Sequence, residues 1–324
     1  MTSGSPAPLS FSPARHRFSL LLVAATLVLI FVGGLVTSTG SGLSVPDWPL
    51  SYGMVMPPMV GGVFFEHGHR MVASTVGFLT LVLAVWTARA ERRAGVRRLA
   101  WAALGTVIAQ GVLGGLTVIF LLPTAISVAH ACLAQAFFGI TIALAYATSR
   151  EWQERDRPLR DDVHAVRAAA ALATGAVFVQ LLLGAIMRHI GAGLAVPDFP
   201  RMFGRWLPPL EALDQPAVAV HLAHRAGALV VLVLVLRLAA RAWRTGEARI
   251  RRVALAALTL VLAQIALGAT TVLTGKAVLP TTAHVAGGAA ILGLCWFAAL
   301  RSRRLLGSPV AASVMVPLGD PALS

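Results

Sequence analysis

The sequence predicts an all-α integral membrane protein with eight transmembrane helices. Of its 324 residues, 57% are hydrophobic and only 12% are charged, which leaves too few polar groups to cover a water-soluble globule. Apolar stretches recur along the chain at a length of about 20 residues, which crosses a ~30 Å hydrocarbon core as a helix. These stretches are continuous and lack the alternation of barrel strands. A bundle of membrane-spanning helices is therefore expected.

Eight such stretches can be placed in chain order. They are expected at residues 18–37, 69–88, 99–121, 125–148, 166–187, 221–240, 253–273 and 282–300. Residues 1–17 and 305–324 are rich in Ser, Pro and Ala and are expected to be tails without regular structure. The charged segment 151–165 is expected to link two halves of the chain.

The two halves repeat each other. VPDWP at 45–49 returns as VPDFP at 196–200, and GHR at 68–70 returns as AHR at 223–225. Each half has four spans, an even number, so both halves enter the membrane in the same direction. We therefore expect two tandem four-helix bundles, residues 18–150 and 166–304, related by a pseudo-two-fold axis along the membrane normal.

The net charge of +14 is spread over alternate gaps between the spans. This distribution disfavours nucleic acid as a partner and indicates orientation instead. Most of the 27 Lys and Arg residues lie on the side of the termini; the exceptions are Arg70, Arg188, Arg201, Arg205, Arg225 and Lys276. By the positive-inside rule both termini are predicted to be cytoplasmic and the Val-Pro-Asp loops to be outside. These loops, about 30 residues long, are expected to be ordered caps.

Each half contains a pair of histidines at matched positions. His69 and His130 form one pair, and His224 and His284 form the other with almost the same spacing. All four are predicted near the outer ends of helices, so the members of a pair should reach the same depth. Two facing imidazoles in a helical bundle are typical axial ligands of a haem iron. A single histidine there could equally cap a helix, but four at duplicated positions favour ligation of iron.

The halves differ at one position close to these histidines. Glu66 precedes His69 by three residues, whereas His221 stands at the matching position before His224. Residues i and i+3 share a helix face, so Glu66 is predicted to face the His69 pocket, where a carboxylate accepts or relays protons. The alternative is a glutamate that only caps a helix N-terminus.

Other polar residues recur near the predicted sites. Arg70 and Arg225 directly follow the repeated histidines and are candidates for pairing with haem propionates, with lipid headgroups as the alternative partner. Gln110 and Gln264 recur in the third and seventh spans and are expected to bond across helices in a structural role. No role is assigned to His189.

As a set, the segments GLSVPDWP, EHGHR and AHAC, with their repeats GLAVPDFP, AHR and AHVA, resemble the haem A synthase family. The resemblance implies a haem-dependent membrane oxidoreductase of cytochrome oxidase assembly, which converts the C8 methyl group of haem O to a formyl group by successive hydroxylations. It also implies haem b as the cofactor of the C-terminal bundle, ligated by His224 and His284. The substrate iron would lie between His69 and His130, with Glu66 as the catalytic carboxylate.

The partners that the resemblance implies are haem O, the lipid bilayer of a bacterial plasma membrane and an electron donor that the sequence does not identify. Direct contact with a haem O synthase and assembly into a homo-oligomer stay open. The residues alone also fit a two-haem b-type cytochrome that only transfers electrons, and Glu66 is the feature that distinguishes the enzyme. A transporter with repeated halves would place its polar sites near mid-membrane, whereas this chain is predicted to place them near one face.

Overall fold

The computed structural model describes residues 11–153 and 162–306, which form an all-α fold. Its helices, in chain order, are α1 (Pro13–Ser38), α2 (Gly62–Ala90), α3 (Ala94–Ile119), α4 (Thr124–Ala147), α5 (Arg150–Gln153), α6 (Asp162–His189), α7 (Pro216–Arg244), α8 (Ala248–Leu273) and α9 (Val278–Leu306). All of them except the short α5 are long and apolar enough to cross a membrane. The predicted eight helices are therefore confirmed.

Several helices extend beyond the predicted spans. The first begins at Pro13 because the Ser12 side chain accepts the Arg15 N–H and proline suits the first helical position. The second begins about two turns before the predicted start at His69, since polar residues at its outer end do not interrupt helical hydrogen bonding. Helical residues also occupy both ends of the predicted linker 151–165; the rest of that linker and most of both predicted tails lie outside the described residues.

In each half the four long helices pack in a closed ring. In the first ring α1, α2, α3 and α4 contact one another in sequence and α4 returns to α1; α6, α7, α8 and α9 do the same in the second. Between the rings, α1 contacts α9, and α4 contacts α6 and α9. Exchanging α1 with α6 and α4 with α9 leaves these contacts unchanged, as a two-fold axis requires. The axis and its direction relative to a membrane stay predictions.

The Val-Pro-Asp loops are ordered and adopt the same conformation in both halves. Asp47 accepts the backbone N–H groups of Tyr52 and Gly53, at 2.6 and 2.8 Å. Asp198 accepts those of Phe203 and Gly204, at 2.8 and 2.7 Å. These backbone hydrogen bonds, with those to Gly53 and Gly204 the strongest, hold the pKa of each aspartate below its usual value. Both loops thus have a defined, hydrogen-bonded conformation, and their role as caps stays a prediction.

Candidate histidine site

The four repeated histidines lie at one end of the bundle. His69 and His224 are on α2 and α7, and His130 and His284 are on α4 and α9, each within the first three turns of its helix. All four of these helices begin at the end of the molecule from which the Val-Pro-Asp loops project. The sequence thus predicted their common level correctly, because residue position along a helix sets depth at 1.5 Å per residue.

Each histidine ring packs against a glycine of the preceding long helix. A Cβ atom on Gly33 of α1 would stand 3.0 Å from Cε1 of His69, and one on Gly184 of α6 would stand 3.1 Å from Cε1 of His224. The corresponding glycines for the other two histidines are Gly114 of α3, facing His130, and Gly268 of α8, facing His284. Any larger residue would displace the ring, so glycine sets where each imidazole lies.

The rings of the second pair are neighbours. The ring centroids of His224 and His284 are 6.2 Å apart, with their planes at 67°. His69 and His130 are close enough to interact electrostatically. A metal bonded to two facing imidazole nitrogens at about 2 Å each would hold the ring centroids about 6 Å apart. The second pair therefore has the separation that an iron atom between two histidines requires.

The ring nitrogens of these histidines are largely free of protein partners. Nδ1 of His69, His130 and His284 is buried without a hydrogen bond, and Nδ1 of His224 lies 3.1 Å from the side-chain nitrogen of Gln180. Within the described ranges, no hydrogen bond engages Nε2 of any of the four. Buried imidazole nitrogens normally find partners. Among the described residues, Nδ1 of His69, His130 and His284 lacks such a partner, and Nε2 of each ring stays available to a metal. Together with the 6.2 Å separation, this fits His224 and His284 as two ligands of one iron.

Three glutamines bond the backbone of these histidines across helices. Gln110 of α3 donates to the carbonyl oxygen of His130 at 2.8 Å, and Gln264 of α8 donates to that of His284. Both expected interhelical contacts are found. Gln180 of α6 makes the same bond to His224, also at 2.8 Å, and sequence analysis missed it. The signal was present, because each glutamine stands four residues before the glycine that faces the same histidine.

Arg70 and Arg225 bind the Val-Pro-Asp loops. The Arg70 guanidinium donates to the carbonyl oxygens of Asp47 at 2.7 Å, Leu50 at 2.9 Å and Val45 at 3.3 Å. The Arg225 guanidinium donates to the carbonyl oxygens at the three matching positions, which are Asp198 at 2.6 Å, Arg201 at 3.0 Å and Val196 at 3.0 Å. Each arginine thus ties a loop to the helix that carries a site histidine, and pairing with propionates stays a prediction.

Glu66 is buried, with 4% of its surface exposed, and it anchors the first loop. Its carboxylate accepts the Val45 N–H at 2.9 Å and a bond from Arg70 at 2.7 Å. At the matching position of the second half, Nδ1 of His221 lies 3.1 Å from the carbonyl oxygen of Ala192, to which it can donate, and 3.4 Å from the Val196 nitrogen. Both side chains therefore contact the backbone of their loop, whereas the negative charge belongs to the first half.

Two residues at the end of α6 reach the first bundle. Arg188 donates to the carbonyl oxygen of Gly34 at 2.9 Å and to Oγ of Ser38 at 2.8 Å, both on α1. His189, to which the sequence assigned no role, lies close enough to His130 for an electrostatic interaction. Arg188 likewise interacts with His284. The two histidine sites are thus joined by charged and polar residues at the interface of the halves.

Comparison with known proteins places this chain in one family. A family model described as "Cytochrome oxidase assembly protein" matches residues 16–61 and 59–296. The chain is 36% identical over 265 residues to a "Heme A synthase" of Symbiobacterium thermophilum, covering 79% of this chain and 85% of that protein. It is 31% identical over 358 residues to a "Heme A synthase" of Methylobacterium sp. (strain 4-46), covering 91% of this chain and 96% of that one.

Proposed function

Since the chain belongs to the cytochrome oxidase assembly protein family, we propose that this membrane oxidoreductase converts the C8 methyl group of haem O to a formyl group, giving haem A. The relatives named "Heme A synthase" align over most of their length, which supports the assignment. The main structural support for this function is the duplicated histidine pair, in which each histidine packs against a glycine at the same end of the bundle.

The C-terminal pair is proposed to hold a resident haem b. His224 and His284 are the ligands, because their rings stand 6.2 Å apart and Nε2 of each has no hydrogen-bond partner among the described residues. Bis-histidine ligation at the ends of two helices is a usual means of holding an electron-transfer haem. When bound, this haem supplies one-electron transfer. The role of the protein there is to fix both imidazoles.

The N-terminal pair is proposed to bind the substrate, haem O. His69 and His130 would flank its iron, and Glu66 would accept or relay protons during the successive hydroxylations of the methyl group. The contact between Arg70 and Glu66 supports this role, because it fixes the carboxylate one helical turn from His69. The loop at residues 39–61 would limit access of water, since the Trp48 indole lies directly against Gly115, the neighbour of the glycine that faces His130.

The site is proposed to lie near the extracytoplasmic face of a bacterial plasma membrane, with both chain termini in the cytoplasm. The excess of Lys and Arg at the end of the molecule that carries the termini supports this orientation. Dioxygen is the proposed oxidant: each hydroxylation places one of its oxygen atoms on the methyl carbon and reduces the other to water with two protons and two electrons. These electrons come from a donor outside this chain. Contact with a haem O synthase and a homo-oligomeric state are further proposals that the family context raises.

A haem analysis tests the assignment. The chain is expressed in cells that also make haem O, and the extracted haems are identified by mass spectrometry. Haem A is expected, whereas cells that yield only haem O and haem b would indicate an electron-transferring cytochrome.

Glu66→Gln is the sharpest variant for the catalytic role. Glutamine keeps the acceptor for the Val45 N–H and removes the charge, so we expect the resident haem to remain while the haem A yield falls at least ~100-fold, the usual size of a lost acid–base step. His221→Gln at the matching position of the second half is the control and should retain haem A formation. A normal yield from Glu66→Gln would exclude the catalytic role.

A further inference from the structure

The four histidines differ in the hydrogen bonds that their backbone receives from the preceding helix. His130, His224 and His284 each have a glutamine bonded to their backbone carbonyl from the preceding helix. These glutamines occupy the first position of the segments QGVLG (110–114), QLLLG (180–184) and QIALG (264–268), whose last glycine faces the histidine ring. The fourth segment is LIFVG (29–33), in which Leu29 stands where the others have glutamine.

His69 is the histidine that faces this fourth segment. Its ring packs on Gly33 as the others pack on their glycines, but Nδ1 is buried without a partner. In the described part of the chain, no side chain donates to its backbone carbonyl. An interhelical amide bond resists separation of two membrane helices and rotation of one against the other. The ring of His69 is therefore held against α1 by van der Waals contact alone.

The two sites differ in how many of their histidines receive a hydrogen bond from a glutamine. Both members of the C-terminal pair carry a glutamine that donates to the backbone carbonyl oxygen. The Gln180 amide nitrogen also lies 3.1 Å from Nδ1 of His224, but an imidazole that binds iron through Nε2 carries its proton on Nδ1, so the bond to the carbonyl oxygen is the one that can hold this ligand. In the N-terminal pair only His130 carries one. A haem that only transfers electrons is best served by two permanent protein ligands. A haem whose iron must react with dioxygen needs a coordination position from which the protein ligand can leave.

We propose that Gln110, Gln180 and Gln264 are positioning residues that make their histidines permanent axial ligands, and that Leu29 leaves His69 as the displaceable ligand of the N-terminal site. This inference rests on the proposed function, because it requires iron between the histidines of each pair. A displaceable His69 would leave the substrate iron accessible from α2, the helix that also carries Glu66.

Carbon monoxide reports the proposed difference, because it binds ferrous haem only where an axial position is open. The experiment uses the purified full-length protein with its resident haem, and the probe for the first site is added ferrous haem O. The resident haem of the unaltered protein should be low-spin and should not bind carbon monoxide. Haem O in the first site should bind it.

Exchanging glutamine and leucine between the two halves should exchange the carbon monoxide reactivity of the two haem sites. Gln180→Leu should retain the resident haem through His284 but raise its carbon monoxide-reactive, high-spin fraction about five- to tenfold, the effect of one lost hydrogen bond. Leu29→Gln should lower the reactivity of haem O in the first site by a similar factor. Gln180→Asn, which keeps an amide, should restore part of the low-spin spectrum.

Gln135→Leu is the matched control. Gln135 of α4 is also buried with a side-chain oxygen that lacks a partner, but it does not bond a histidine, so its replacement should leave both spectra unchanged. A Gln180→Leu protein whose haem stays low-spin and inert to carbon monoxide, together with an unaltered response in Leu29→Gln, would overturn the inference. Protein without any haem, or with a haem unaffected by His224→Ala, would instead overturn the proposed function itself.

Discussion

At the residue scale, the site depends on glycines that leave room for imidazole rings. Gly184 faces His224, and Gly268 faces His284, each across a helix interface where a Cβ atom would meet the ring at 3.0–3.1 Å. Close packing leaves no space for the ring to retreat without moving its helix. The positions of the proposed ligands are thus decided by residues that have no chemistry of their own.

We expect Gly184→Val to lower the amount of resident haem that copurifies with the protein, because the added methyl groups occupy the place of the His224 ring. The measurement is haem per protein from the spectrum of a pyridine extract. Gly175→Val on the same helix is the control, since nothing lies within 4 Å of a Cβ atom at that glycine. Equal haem retention in the two variants would show that the glycine does not position His224.

At the element scale, buried ion pairs hold the ends of helices that the hydrocarbon does not cover. Glu91 joins α2 to α3, is only 4% exposed, and accepts bonds from Arg15 of α1 at 3.0 Å and from the Arg93 guanidinium at 2.9 Å. Burial by itself would raise the pKa of Glu91, but the hydrogen bonds and charges of Arg93 and Arg15 lower it to about 2. The Glu91 carboxylate therefore links α1, α2 and α3 through its two arginine partners.

Replacing Glu91 by glutamine should lower the free energy of unfolding by about 3 kcal/mol, because Arg15 is left buried without its counter-charge. In the native protein the pKa of Glu91 is depressed from its ordinary value of 4.5 to about 2. Its contribution to stability is therefore complete above pH 4.5 and is lost as the pH falls towards 2.

Thermal denaturation in detergent between pH 3 and 7 measures this effect. The unaltered protein should lose stability across the acidic range, and Glu91→Gln should lose less, since it lacks the titrating group. Glu211→Gln, at an exposed glutamate of the second loop, should behave like the unaltered protein. Identical curves for both variants would contradict the assigned role of Glu91.

At the scale of the whole molecule, polar contacts connect the two halves at both ends of the bundle. At the loop end, Arg188 of α6 bonds α1, and Thr282 of α9 donates to Ser38 at 3.0 Å. At the opposite end, Arg301 of α9 pairs with Glu151 of α5 at 2.6 Å. Within the described residues, Arg188 forms no salt bridge with a carboxylate, so its charge acts on the neighbouring histidine sites.

Removal of this charge by Arg188→Gln should lower the midpoint potential of the resident haem, because a nearby cation favours the reduced form over the oxidised form that carries one more positive charge. A shift of about −60 mV corresponds to one tenfold change for a one-electron couple. A redox titration of the purified protein measures it, with the exposed Arg205→Gln as control. An unchanged or raised potential would show that Arg188 does not act on this haem.

The sequence by itself determined the number of helices, the duplication and the common level of the four histidines. These follow from the length of apolar segments and from position along a helix, which are local properties of the chain. It also identified Gln110 and Gln264 as interhelical contacts, although not the histidine carbonyls that they bond.

Only the tertiary structure decided which side chains meet. Membrane helices are apolar on all sides, so periodicity does not indicate how each helix is rotated against its neighbours. For this reason the glycine beside each ring, the contact between Gln180 and His224, the binding of loop carbonyls by Arg70 and the reach of Arg188 into the first bundle became visible only when the helices were packed.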